Sequence, residues 1–266
     1  MPRKIEYFRT NDGVRLAYMV EGKGKNVLML SGFGVPVETM ENQAEYLRAE
    51  GCRTILLDRR GHGHSEKPAY GQRLARHAED VRELICHLEL EDLILVGHSM
   101  GAAVLFAYLS LFGQEHIRGI VDIDQTPKTL NSADWKYGAY GLDFQSLDEY
   151  LQSPQISPFY LGRGVPSLEK YVQRIKSYPV FERRDAIPLL QDHICSDWRD
   201  ILPRLTAPIL FLAGKNSPYW PSAFAQESAR LCPRGEAAVI EECGHCVPWE
   251  QEDRCREVLS DFIRKI

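Results

Sequence analysis

The chain has 266 residues, 44% of them hydrophobic and 26% charged, which is ordinary for a folded domain and long enough for one α/β unit carrying an insertion. Its formal net charge of −5 argues against nucleic acid or an anionic membrane as the main partner, since both require a basic footprint. No apolar run reaches membrane-spanning length, no signal-peptide-like stretch follows Met1, and the seven cysteines are odd in number and scattered. A cytoplasmic protein with no disulfide framework and no membrane insertion is therefore expected.

In chain order, Val14 to Val20 alternates in polarity and reads as a half-buried antiparallel strand near a sheet edge. Asn26 to Leu30 is a short buried strand, and the glycine-rich loop Ser31-Gly32-Phe33-Gly34 follows it. A helix is predicted from Met40 to Glu50, a strand from Thr54 to Leu57, a second glycine-rich loop from Asp58 to Ser65, and a helix from Arg73 to Leu88. The strand Leu93 to Val96 runs into Gly97-His98-Ser99-Met100-Gly101 and a helix ending at Phe112. Gly119 to Ile123, Ile209 to Leu212 and Ala237 to Ile240 are further nearly continuous apolar strands. Helices are predicted at Ala223 to Leu231 and Arg254 to Lys265. Short apolar strands alternating with helices predict a doubly wound, mostly parallel α/β sheet covered on both faces.

One stretch breaks the alternation. Residues 125–202 contain no good strand and many aromatics, and read as an inserted, mostly helical cap over the carboxyl edge of the sheet. This divides the chain into a core of 1–124 and 203–266 and a cap of 125–202. Most of the aromatics should form the cap's own core. Trp135, Tyr140, Phe144 and Tyr160 are taken as the ones facing a pocket, because a lid presents apolar surface to the site it covers.

The strand, G-x-S-x-G turn and helix around Ser99 describe a nucleophile elbow. Ser99 should adopt a strained backbone conformation at the head of a helix, whose dipole favours negative charge. A serine needs a base, and the base an orienting acid. His245 is the base candidate: it lies between the last strand and the last helix, where a loop can swing its ring back to the sheet edge. His62 and His64 lie in a glycine-rich loop, His77 and His87 in a helix, His98 within the elbow, and His116 and His193 have no supporting context. For the acid, Asp124 sits at the carboxyl end of the strand next to the elbow strand and is preferred, with Asp122 in reserve. The competing reading is that Asp124 only caps a turn. Backbone N–H groups of Met100 and Phe33 are the candidate oxyanion donors. The pairs Arg59-Arg60 and Arg183-Arg184 each adjoin a carboxylate and read as structural charge. Cys243 and Cys246 form a C-x-x-C with no second ligand pair, so no metal is expected there.

These motifs, with Leu202-Pro203 before Ala207-Pro208 and Gly244-His245 with Pro248 and Glu250, resemble the α/β-hydrolase superfamily over essentially the whole chain. The resemblance implies a Ser-acid-His triad with no metal and no organic cofactor, and gives Asp58 to Ser65 a structural rather than catalytic role. The chain departs from the family at Ser31, where a His is usual, and at Ser217, where the acid usually stands, so that Ser217→Ala should matter little. Some haloalkane dehalogenases place their carboxylate where Asp124 falls, but they use an Asp nucleophile, which Ser99 excludes. The expected activity is hydrolysis of a small or medium carboxylic ester, lactone or thioester. The rivals are carbon–carbon bond hydrolysis, cofactor-free perhydrolysis, or a non-catalytic ligand receptor. The expected partner is a small-molecule substrate, and the expected state a monomer or homodimer.

Overall fold

The computed structural model describes residues 4–161 and 166–266. The first three residues and residues 162–165 of the 125–202 stretch lie outside that description. Eight strands form one sheet: β1 (Glu6–Arg9), β2 (Arg15–Gly22), β3 (Lys25–Leu30), β4 (Cys52–Leu57), β5 (Leu93–His98), β6 (Ile117–Ile123), β7 (Ile209–Gly214) and β8 (Gly235–Ile240). Their spatial order is β1-β2-β4-β3-β5-β6-β7-β8. β2 pairs antiparallel with β1 and β4, and every later pairing is parallel. The doubly wound, mostly parallel α/β architecture expected from the sequence is the one observed. β1 is the strand that sequence reading leaves out. It is four residues long and half-exposed, so it lacks the apolar run that marks the central strands.

The alternation of side chains along each strand explains why those runs are continuously apolar. Leu28 and Leu30, Ile55 and Leu57, Leu93 and Leu95, and Ile209 and Phe211 face one way. There they meet α2 (Leu74–His87), α3 (Met100–Phe112) and α7 (Ala223–Leu231). Val27 and Met29, Leu56, Ile94 and Val96, and Leu210 and Leu212 face the other way, against α1 (Glu41–Ala49) and α9 (Glu252–Lys265). A four-residue helix, α8 (Val247–Glu250), precedes α9.

Between β6 and β7 the described chain adds no strand to the sheet. It holds α4 (Leu147–Gln152), α5 (Pro166–Lys176) and α6 (Ile187–Cys195), joined by long irregular connections and two isolated bridges. It is anchored to the rest by apolar packing, as where Leu168 and Tyr171 of α5 meet Cys246 and Trp249, and by hydrogen bonds. The N–H of Leu74 donates to Asp192 at 2.7 Å, and the Arg174 guanidinium to the carbonyl of Glu38 at 2.9 Å. The Glu250 carboxylate accepts from the N–H groups of Tyr160 and Leu161, both at 2.8 Å. Among the described residues no helix is long and apolar enough to cross a membrane.

Candidate active site

β5 ends in a turn so tight that Ser99 takes φ 54° and ψ −130°, a region an L-residue occupies only under constraint. Two glycines permit it. A Cβ on Gly97 would stand 2.4 Å from the nitrogen of Ala102, and one on Gly101 would stand 2.5 Å from the carbonyl of Leu30. The loop after β3 passes just as close, for a Cβ on Gly32 would lie 3.2 Å from the Ser99 Cβ. Met100 is the first residue of α3, so its N–H has no partner within the helix. Phe33 and Met100 both border the cavity that contains Ser99.

That glycine-rich loop is braced from below. The buried Arg59 donates through Nη2 to the carbonyls of Ser31 and Gly32, at 3.2 and 2.7 Å. The N–H of Gly34 donates to His62 Nε2 at 3.1 Å, while His62 Nδ1 donates to the Arg60 carbonyl at 2.9 Å. Asp58 accepts from the N–H groups of Val37 and His64, and burial pushes its carboxyl up to about 6. The Asp58 to Ser65 segment thus sets the shape of the loop carrying Phe33.

His245 is fixed at both backbone groups. Its N–H donates to the Pro158 carbonyl at 2.9 Å. Its carbonyl accepts from His98 Nε2 at 2.9 Å; a carbonyl only accepts, so the His98 proton sits on Nε2. Burial, with His245 beside it, pushes His98 down to about 3, so it stays neutral and stays a donor. Sequence reading gave His98 no task beyond filling the elbow; its signal appears only once the last loop folds over it. The His245 ring packs edge-on to Tyr219 and Trp220, at centroid distances of 4.6 and 5.5 Å.

Asp124 leaves β6 with φ 51° and is fully enclosed. Its Oδ2 stands 2.7 Å from His245 Nδ1 and accepts from the Ser217 hydroxyl at 2.7 Å. Its Oδ1 accepts from the N–H of Gly214 at 2.9 Å. Ser217 therefore shares the oxygen that meets the imidazole, a contact not anticipated for a residue noted only as a missing acid. Asp122, the reserve candidate, is buried within β6 with neither carboxyl oxygen hydrogen-bonded. Burial first, and then the charge of Asp124, raise it well above the usual carboxylate range, with the Gln125 backbone opposing.

The cavity at Ser99 and His245 has a volume of about 360 Å³, and its wall includes Tyr150, Ile156, Leu190, Tyr219 and Trp220. Of the four aromatics expected to face it, Tyr140 does, from an exposed position. The other three do not line it. Trp135 is buried, with Nε1 donating to the Lys128 carbonyl at 3.1 Å. Phe144 is 75% exposed. Tyr160 spends its N–H on Glu250 and leaves its ring in solvent. Which side each ring faces depends on irregular backbone that leaves no periodic signal in the sequence. His193, dismissed for want of context, lines the cavity from α6. No group of His, Cys, Asp and Glu among the described residues is arranged to hold a metal ion, and burial keeps the thiols of Cys243 and Cys246 protonated.

A family model described as the alpha/beta hydrolase fold matches residues 25–252. The chain is 33% identical to a non-heme chloroperoxidase of Kitasatospora aureofaciens, over 96% of this chain and 98% of that one. It is 26% identical to a pimeloyl-[acyl-carrier protein] methyl ester esterase of Vibrio vulnificus, over 92% and 97% respectively. Among solved structures, an esterase from Exiguobacterium antarcticum superposes with a TM-score of 0.86 at 23% identity, covering 97% of this chain and 98% of that one.

Proposed function

This chain belongs to the α/β-hydrolase family, and from that premise we propose that it is a serine esterase that cleaves a small or medium carboxylic ester, lactone or thioester through an acyl-enzyme on Ser99. The observation that carries this reading is the 2.7 Å contact between Asp124 and His245 Nδ1, on a ring bordering the same cavity as the strained Ser99.

Residues 125–202 act as a cap that encloses the substrate. Ser99 Oγ attacks the carbonyl carbon while His245 Nε2 takes the hydroxyl proton. Asp124 holds Nδ1–H, which keeps the tautomer that leaves Nε2 free to accept, and stabilises the imidazolium. The N–H groups of Phe33 and Met100 receive the oxyanion. One such donor is worth roughly 3 kcal/mol of barrier, because it is aimed at the charge before the charge forms. Collapse of the intermediate breaks the bond to the alcohol (or thiol), which leaves with the proton from His245. Water, deprotonated by the same nitrogen, then attacks the acyl-enzyme. The acid departs and Ser99 regains its proton.

The chloroperoxidase relative favours a second use of the same intermediate, in which hydrogen peroxide replaces water and releases a peracid. Labelling with a fluorophosphonate, which reacts only with an activated serine, tests the shared premise. The expected result is one adduct on Ser99 and hydrolysis of p-nitrophenyl esters. Intact protein that takes no label and turns over no ester would make the chain a receptor on this fold. Peracid formed from acetate and hydrogen peroxide distinguishes the second use.

A further inference from the structure

His193 enters the cavity from α6, across the insertion from the elements that carry Ser99 and His245. It is 7% exposed. Its Nδ1 is shut away from water-sized space without a hydrogen-bond partner, so Nε2 is the ring nitrogen that cavity contents can meet. Burial, with Arg59 and His245 nearby, pushes this imidazole down to about 3. It is therefore neutral at any physiological pH and carries a single N–H. The enclosed Nδ1 fixes where that proton sits. A buried N–H without an acceptor is rarer and costlier than a bare nitrogen lone pair, so the proton belongs on Nε2. The result is a neutral donor at the wall of an otherwise largely apolar chamber.

We infer that His193 is a specificity-determining residue whose Nε2–H receives a second oxygen acceptor of the substrate, so that the preferred ester carries an additional carbonyl or ether oxygen in the part lying against α6. This rests on the esterase reading of Ser99 and narrows it from esters in general to oxo- or alkoxy-substituted ones. An uncharged acceptor fits because the donor is uncharged. The energetic logic is asymmetric. With a plain alkyl ester bound, water is expelled and the Nε2–H is left unpaired, a desolvation cost that a matching acceptor removes.

The test is calorimetric binding to the Ser99→Ala protein, which holds esters without consuming them. The probes are phenyl hexanoate with its oxohexanoate isomers, and hexyl acetate with its alkoxyalkyl isosteres. The best-matched substituted ester should bind about tenfold more tightly than its plain partner, the worth of one hydrogen bond gained against an orphaned donor. His193→Leu in the same background should bring that ratio to about one, and His193→Gln, whose amide N–H lies at a similar reach, should restore most of it. A merely structural role would shift both affinities together and leave the ratio alone. The inference is overturned if no substituted ester binds better than its partner, or if the preference survives His193→Leu. The first comparison requires no change at residue 193, so a variant that fails to fold does not spare the proposal. Ester turnover and labelling of the wild-type protein report on the esterase reading separately. A flat affinity ratio with turnover intact removes this inference alone.

Discussion

Two residues at the carboxyl ends of neighbouring strands, Ser99 after β5 and Asp124 after β6, share a backbone solution. Both have positive φ, 54° and 51°. Each donates its N–H to a carbonyl on the next strand over, Ser99 to Ile123 at 2.9 Å and Asp124 to Leu212 at 2.7 Å. The pairing of Gly97 with Asp122 and of His98 with Ile123 makes them successive steps of one pattern. They differ in what keeps them there. At Ser99 the helix begins at once, and packing leaves no room for a Cβ at Gly97 or Gly101, so the turn is written into the sequence as a motif. At Asp124 the chain opens into an irregular stretch, and the conformation is held by donors reaching the side chain from Gly214, Ser217 and His245. A turn enforced by sterics restricts its neighbours in sequence. A turn enforced by hydrogen bonds draws on residues some ninety positions away and leaves no local mark.

The largest effect should separate the two residues by role. Ser99→Ala should lower ester turnover by about six decades, the usual consequence of removing a serine nucleophile, with an unchanged circular dichroism spectrum. Activity near that of the wild type would end the serine mechanism. Asp124→Asn should cost about four decades, because the amide favours the wrong imidazole tautomer. Adding Ser217→Asp to it should recover about half of that logarithmic loss, since the Ser217 hydroxyl already shares the Asp124 oxygen that meets His245. No recovery in a folded double variant would mean that the two positions are not interchangeable sources of the acid.

Ser217→Ala alone sharpens the comparison further. A hydrogen bond to a charged group is worth about 1.5–3 kcal/mol, and both Ser217 and Asp124 are buried. A drop in kcat of about tenfold is expected, larger than the negligible change foreseen when Ser217 is viewed only as a residue in the acid's usual place. A kcat equal to that of the wild type would restore the simpler view.

How much is legible follows the same division. The central strands and most of the helices flanking them are readable because burial on both faces forces continuous apolar runs. Ser99 is readable because its glycines are sterically required. Asp124 can be singled out by chain order, as the first carboxylate past a strand end beside the elbow, although its hydrogen bonds are invisible. His193 is not readable at all. Its position depends on the route of the chain between β6 and β7, which is tied down at scattered points such as Asp192 on the Leu74 N–H, Glu250 on the Tyr160 N–H and Tyr171 against Trp249. The same blindness put Trp135, Phe144 and Tyr160 on the pocket side.

The smallest effect on catalysis concerns Asp122, two residues before Asp124 and inside β6. Neither of its carboxyl oxygens has a partner at full hydrogen-bond geometry, and burial together with the Asp124 charge, opposed only by the Gln125 backbone, holds its carboxyl well above the usual range. Asp122→Asn should therefore keep kcat/KM within about a factor of ten, less than 1.4 kcal/mol of barrier, whereas Asp124→Asn loses far more. Its signature lies in stability against pH. Unfolded, an aspartate releases its proton near pH 3.9; folded, Asp122 retains it to higher pH. The native state then binds more protons than the unfolded state, so the wild type loses stability as pH rises from about 4 through the raised native value. An amide cannot ionise and escapes that loss. The melting temperature of Asp122→Asn relative to wild type should be flat below pH 4 and climb as pH rises above it. A difference that stays level there would show that Asp122 is ionised in the native state. Two adjacent negative charges would then have to be accommodated at the end of β6, and the distinction drawn between the two aspartates would fail.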